Sequence, residues 1–207
     1  MQMEYPVVFL VDDDPSILKT LPGALAAHGL EVRAYSSAQE FLNNFNCEHG
    51  CLVVDLNLPE VNGLELQDEL KRIKYSLPII FITGNGRVPD SVKALRAGAI
   101  DFLEKPFKTE RLLKSINEAF QQDILNIERK NQQNSMRERV QSLTKREKLI
   151  LKLLVESDEI PSSKEIARAL DISHRTVEHH RSRVLEKIGV SSVWELRTQL
   201  KDFDLPD

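Results

Sequence analysis

The sequence predicts an α/β domain followed by an all-α one: a five-stranded parallel sheet wrapped by helices, a helical linker, and a four-helix unit with a helix-turn-helix. Three observations predict it. Short apolar runs alternate with longer amphipathic stretches over the first 120 residues, the pattern of βαβ units closing a parallel sheet. The apolar stripe then fades after Ile127. Beyond Ser142 the texture changes to short helices with explicit start signals.

The strands come first. Apolar runs at 7–11, 52–54 and 79–82, with weaker ones at 32–35 and 102–103, supply five of them. Stretches of helical length lie between, at 16–28, 38–45, 64–74 and 89–97, and another begins near Thr109. Gly29 and Gly98 mark the ends of two of these, because a glycine past a helix end can take the left-handed conformation that closes the last turn. The helix from Thr109 carries Leu112, Leu113, Ile116, Ala119, Phe120, Ile124 and Ile127 at helical spacing. From Glu128 to Ser142 the apolar side chains are Met136 and Val140 alone, among Gln, Asn, Arg, Lys and Glu with no proline or glycine. Propensity favours a continuing helix there over a flexible linker.

In the last third, Thr144/Glu147, Ser162/Glu165 and Ser192/Glu195 each fit the capping box, in which a hydroxyl and a glutamate satisfy each other's exposed backbone donors. Each opens an apolar-periodic stretch. Helices are therefore expected at 145–156, 163–170, 174–188 and 193–200. The division that follows is 1–122 for the α/β domain, 123–142 for a helical linker and 143–207 for the helical domain.

Composition narrows the function classes. Charged residues make up 29% of the chain and interrupt every apolar run well short of the ~18 residues that would suggest a membrane span. The first six residues lack the basic-then-apolar pattern of a secretory signal, so a cytoplasmic protein is expected. Cys47 and Cys51 are too few for a disulfide scaffold. With His49 they spell Cys-x-His-x-Cys, but a fourth ligand and a second cluster are missing, so ordinary thiols are expected over zinc. The net charge of −4 is uneven: residues 1–120 hold 12 Lys plus Arg against 17 Asp plus Glu, and the remainder 16 against 15. That imbalance is too small to indicate nucleic-acid binding by itself.

In an open parallel sheet, ligands bind beyond the carboxyl ends of the strands where strand order reverses. There the sequence places Asp12-Asp13-Asp14, Asp55, Thr83-Gly84 and Glu104-Lys105-Pro106. Converging carboxylates need positive charge between them, and hard oxygen donors suit magnesium. A metal, a lysine and a hydroxyl around one carboxylate make a site for phosphoryl transfer to that carboxylate. Asp14-Pro15-Ser16 reads instead as a helix cap, and Gly84-Asn85-Gly86 as a turn rather than a phosphate cradle.

Val-Asp-Asp-Asp at 11–14, Val-Asp-Leu-Asn-Leu-Pro-Glu-Val-Asn-Gly at 54–63, Phe-Ile-Thr-Gly at 81–84, Ala-Gly-Ala at 97–99 and Phe-Leu-Glu-Lys-Pro-Phe at 102–107 together resemble the receiver domain of bacterial two-component response regulators. The resemblance implies a flavodoxin-like fold in which Asp55 accepts a phosphoryl group from a sensor histidine kinase. It implies that Asp13, Asp55 and the Asn57 carbonyl hold Mg2+, with Asp12 bound through water and Lys105 pairing with the phosphoryl oxygens. Thr83 and Phe102 look like the switch pair, and Lys105–Pro106 matches a usually cis peptide. Asn57 and Asn85 would border the attacking water and tune the phosphoryl lifetime.

Residues 163–185 read as helix, short turn, helix, with Ile166, Ala167, Leu170, Val177, Val184 and Ile188 inward. Arg175, His179, Ser182, Arg183 and Glu186 are left outside, on a helix that fits the major groove. Leu143-Thr-Lys-Arg-Glu147, Lys164-Glu-Ile-Ala167 and the stretch from Thr176 to Val184 resemble the DNA-binding domain of the FixJ/NarL (LuxR-type) regulators. That resemblance implies a reader helix offering Arg175, Thr176, Glu178, His179, Ser182 and Arg183 to double-stranded DNA, with Lys164 and Lys187 on phosphates. His179 departs from the aliphatic residue usual there. Val193, Trp194 and Leu196 would help form a homodimer when phosphorylated. The expected protein is a transcription regulator rather than an enzyme. An aspartyl-phosphate phosphatase would need a second aspartate two positions past the nucleophile, where Asn57 stands. The alternative output is protein docking without DNA binding.

Overall fold

The computed structural model describes residues 6–73, 75–84, 98–157, 159–201 and 203, which fall into two compact units, 1–127 and 128–207. The first contains strands β1 (Val7–Val11), β2 (Glu31–Tyr35), β3 (Gly50–Asp55), β4 (Ile79–Thr83) and β5 (Asp101–Glu104), and helices α1 (Pro15–Ala26), α2 (Ala38–Asn44) and α3 (Gly63–Arg72). The helix expected at 89–97 and Asn85 lie outside the described residues.

The sheet is parallel throughout, in the order β2-β1-β3-β4-β5. Strand order thus reverses between β1 and β3, the place where such sheets bind ligands. Strict alternation of side chains decides what each face packs against. Phe9, Val11, Leu52, Val54 and Phe81 join Phe41, Leu66 and Leu70 on one face. Leu10, Val53, Ile80 and Ile82 join Leu25, Leu112 and Ile116 on the other. Burial on both faces explains why these strands read as continuous apolar runs. Cys51 belongs to this second core and is fully buried, whereas Cys47 is exposed. Among the described residues, the one group of three or more His, Cys, Asp or Glu with metal-binding spacing is the aspartate cluster described below, and Cys-x-His-x-Cys forms no such group.

Helix α4 (Thr109–Gln141) is continuous, and the division between the units falls within it. In the second unit it is followed by α5 (Lys145–Glu156), α6 (Ser163–Leu170), α7 (His174–Ile188) and α8 (Val193–Gln199). Their core joins Ile150, Leu154, Ile166, Val177, Val184, Ile188 and Leu196. Val140, at the end of α4, is buried in this core and Met136 packs against it. The two apolar residues of the stretch from Glu128 to Ser142 are therefore core contacts.

The capping boxes at Thr144/Glu147 and Ser162/Glu165 are reciprocal. The third differs: Ser192 accepts from Glu195 N–H, but the Glu195 carboxylate turns back to the N–H and hydroxyl of Ser191. With Ser192 in an extended conformation (φ −149°), a second hydroxyl one residue earlier captures the glutamate.

Candidate functional site

The strand ends of the first unit assemble an acidic pocket. Asp12 and Asp13 follow β1, Asp55 closes β3, Thr83 closes β4 and Lys105 follows β5. Carboxylate oxygens of Asp12, Asp13 and Asp55 lie within 4.8 Å of one another, with Asp12 and Asp55 buried and Asp13 exposed. The Lys105 ammonium donates to Asp12 Oδ2 at 2.6 Å and to Asp55 Oδ2 at 2.5 Å. Residues 93 and 50 positions apart in sequence meet there, because parallel strands bring every carboxyl end to one edge.

Local structure holds each group in place. Asp14 caps α1 through Ser16 N–H, as its sequence context suggested, and its own N–H donates to Asp12 Oδ1. Asp55 Oδ1 accepts from the Asn57 N–H at 2.8 Å, leaving Oδ2 to the lysine. The Asn57 side-chain amide donates to Thr83 Oγ1 at 3.0 Å, a link between acceptor loop and hydroxyl that spacing does not reveal. Gly63 lets α3 approach: a Cβ there would stand 2.8 Å from the Asp55 carbonyl oxygen and 2.9 Å from the Phe81 ring. Lys105–Pro106 is a cis peptide, and the Lys105 N–H donates to the Thr83 carbonyl. Phe102 is partly buried on β5 as the register partner of Phe81.

The electrostatics are unbalanced. Two of the three carboxylates, Asp12 and Asp55, share one ammonium, and Asp13 lies beside them. Burial pushes Asp12 above the ordinary carboxylate range, against the pull of Lys105 and of the Asp14 N–H. Burial also works against the Lys105 charge, but the hydrogen bonds that Lys105 donates to two carboxylates outweigh it and hold the ammonium above its usual value. One cation for three acids leaves room for a second, and three hard oxygen donors together fit a divalent ion such as magnesium.

The second candidate region is the outer face of α7. Arg175, Glu178, His179, Ser182 and Arg183 are exposed there, Lys164 is exposed on α6, and Thr176 is half-buried with its hydroxyl on the Ser173 cap. Lys187, expected on phosphates, instead donates to the buried Glu147 at 2.7 Å and to the Ser142 carbonyl at 3.4 Å. Burial would raise Glu147, but the bonds from Lys187 and Thr144 dominate and hold it at about 2. Arg181 similarly turns inward, to Ser163 Oγ. Of the expected pairing residues, Val193 and Leu196 belong to the core, and Trp194 is 73% exposed. Of the three residues to which the resemblance gives a pairing role, two are thus spent on seating α8 in its own domain.

Residues 8–117 match the response regulator receiver domain, and residues 141–198 match the bacterial regulatory proteins of the luxR family. The chain is 39% identical over 191 residues to the response regulator protein TodT of Pseudomonas putida, covering 92% of this chain and 83% of that one. It is 38% identical over 187 residues to the transcriptional regulatory protein FixJ of Rhizobium meliloti, covering 90% of each. Among solved structures it is similar to the response regulator StyR, with a TM-score of 0.77 at 36% identity over 97% of this chain and 100% of that one.

Proposed function

The chain belongs to the response regulators that join a receiver domain to a luxR-type DNA-binding domain, and we propose that its switch is phosphorylation of Asp55 and its output operator binding through α7. In this reading residues 1–122 carry the phosphoacceptor, 123–142 link, and 143–207 read DNA. The observation that carries it is the Lys105 ammonium shared between Asp12 and Asp55, with Asp13 beside them.

The Asp55 carboxylate attacks the phosphorus of a phosphohistidine on a sensor kinase; the new O–P bond forms as the N–P bond breaks. Asp12, Asp13, Asp55 and the Asn57 carbonyl would hold Mg2+, which when bound neutralises oxygens of the transferring group. Lys105 exchanges a carboxylate partner for a phosphoryl oxygen. Phosphorylation takes Asp55 from about −1 to about −2 and adds acceptor oxygens. Thr83 then has reason to leave Asn57 for the phosphoryl group, and Phe102 fills the space vacated. Such bonds exist in one state only, so they can bias a two-state surface. Lys164, Arg175, Thr176, Glu178, His179, Ser182 and Arg183 face the DNA; Lys187 reaches a phosphate only by sharing its ammonium with Glu147. Paired half-sites about one helical turn apart follow from a homodimer, with Trp194 as the exposed aromatic of the pairing surface.

The test is labelling by acetyl phosphate in magnesium buffer, read by intact mass, with footprinting of a promoter fragment. Wild type is expected to gain one phosphoryl group and to protect paired half-sites more strongly when labelled. Asp55→Asn should gain none, and unchanged labelling of that variant would defeat the assignment.

A further inference from the structure

Three cationic side chains tie α7 to neighbouring elements among the described residues. Arg181 reaches Ser163 at the start of α6, Lys187 reaches Glu147 in α5, and Arg139 reaches back from the end of α4. The third tie is unlike the others. Arg139 Nη1 donates at 2.7 Å to the carbonyl oxygen of Ile188, the last residue of α7. A helix leaves its final carbonyls without intrahelical partners. Here the Gly189 and Val190 N–H groups close back on Leu185 and Glu186 carbonyls, while Ile188 is served by the guanidinium. Its positive charge also opposes the negative end of the helix dipole. Gly189 makes room: at φ +81° it is left-handed, and a Cβ there would stand 2.8 Å from Arg139 Nη1.

The inner face of α7 is held by Val177, Val184 and Ile188, and apolar packing is not directional. Hydrogen bonds are directional. They fix the roll and axial position of a helix whose outward groups must meet base edges to within about 0.5 Å. Resting on the reading that α7 contacts DNA, we propose that Arg139 is a positioning residue for operator recognition: it holds the C-terminal end of the reader helix in register without touching DNA.

A duplex enriched from a random pool by the phosphorylated wild-type chain serves as operator, and an unrelated duplex as non-specific DNA. Arg139→Gln is expected to lose about tenfold in operator affinity while its non-specific affinity and its salt slope stay unchanged, since a lost phosphate contact would lower that slope by about one. Arg139→Lys, which keeps a donor and the charge, should recover part of the loss. Gly189→Ala, which disturbs the same contact from the other side, should reproduce it, and the two changes together should cost less than their product. Equal losses on both duplexes would mark a merely structural role and overturn the proposal, as would a shallower salt slope or an unchanged preference. Should Arg139→Gln fail to fold, an unchanged preference in both Arg139→Lys and Gly189→Ala overturns it. If the wild type enriches no sequence, the DNA-binding reading falls and this inference with it; enrichment by the wild type with unaltered variants overturns this inference alone.

Discussion

Two lysines show how the candidate site differs from a structural ion pair. Lys105 and Lys187 each donate to a carboxylate that is itself buried. At the strand ends one ammonium serves Asp12 and Asp55, and Asp13 adds a third acid at the solvent edge. In the helical unit one ammonium meets one carboxylate, and the Glu147 oxygens also take the Thr144 N–H of the capping box. The second pair is balanced and closed. The first is short of positive charge and has Asp13 exposed, which is the setting that the proposed uptake of a cation and a phosphoryl group requires. Charge balance, rather than the presence of an ion pair, distinguishes the two.

Removing each lysine should have different consequences in the two units. The three tyrosines lie in the first 75 residues and the single tryptophan at 194, so near-ultraviolet tyrosine signals and tryptophan fluorescence follow the two units separately during urea unfolding. Lys105→Met is expected to lose about 3 kcal/mol in chelator-treated buffer, the cost of an uncompensated buried charge, and to recover most of it in millimolar magnesium. A loss that magnesium leaves untouched would mean the pocket is as closed as its counterpart.

Lys187→Met should cost about 2 kcal/mol, as for a hydrogen bond to a charged group, with no recovery in magnesium. The pH dependence follows from Glu147, which is held at about 2 against an ordinary value of 4.5. A depressed folded value means the pair's contribution is whole above about 4.5 and fades as the pH falls toward 2. The gap between wild type and Glu147→Gln, measured from pH 6 to 2.5, should therefore narrow with acid; a constant gap would show the pair to be unlinked to the fold.

Arg183→Ala should be milder, since Arg183 is exposed and meets Glu186 at 3.4 Å only. About a tenfold loss of operator affinity and a salt slope smaller by about one are expected. If both stay put, the outward face of α7 is not the DNA face. Leu196→Ala is no test of pairing, because burying that side chain contributes about 2–5 kcal/mol to folding; Trp194→Ala, read by sedimentation of the phosphorylated chain, is.

The smallest effect is expected at the opposite end of the sheet, where Asp123 accepts from Gly50 N–H at 2.9 Å with His49 3.7 Å away. Burial pushes Asp123 above the ordinary carboxylate range, with Gly50 and His49 pulling the other way. A raised folded value means that its stabilisation is full below the ordinary value and is lost as pH rises through the folded one. Asp123→Asn keeps an oxygen for Gly50 and removes the desolvated charge. It should change stability at pH 7 by less than about 1 kcal/mol, toward greater stability. A large destabilisation there would show the charge itself to be needed.

Much of this was legible in the residues. Strands buried on both faces announce themselves as apolar runs, Gly29 closes α1 at φ +81°, and the Thr144 and Ser162 boxes form as read. Asp12, Asp13, Asp55, Thr83 and Lys105 could be singled out because a parallel sheet gathers its strand ends. The Asn57–Thr83 bond could not, since an asparagine after a strand has many possible acceptors. The pairing role that the resemblance gives Val193 and Leu196 carries no record of their burial in the core of their own domain, which packing alone shows.

The elements, their order and the acid-rich strand ends follow from the residues alone, because helix starts, turns and hydrophobic period are short-range properties of neighbouring residues. Which charges balance emerges with packing: Lys105 is divided between two acids, Lys187 and Arg181 are turned inward, and Arg139 bonds to the end of α7. A flexible cationic side chain carries no local record of its partner. The partner is fixed by register and packing among residues tens of positions away.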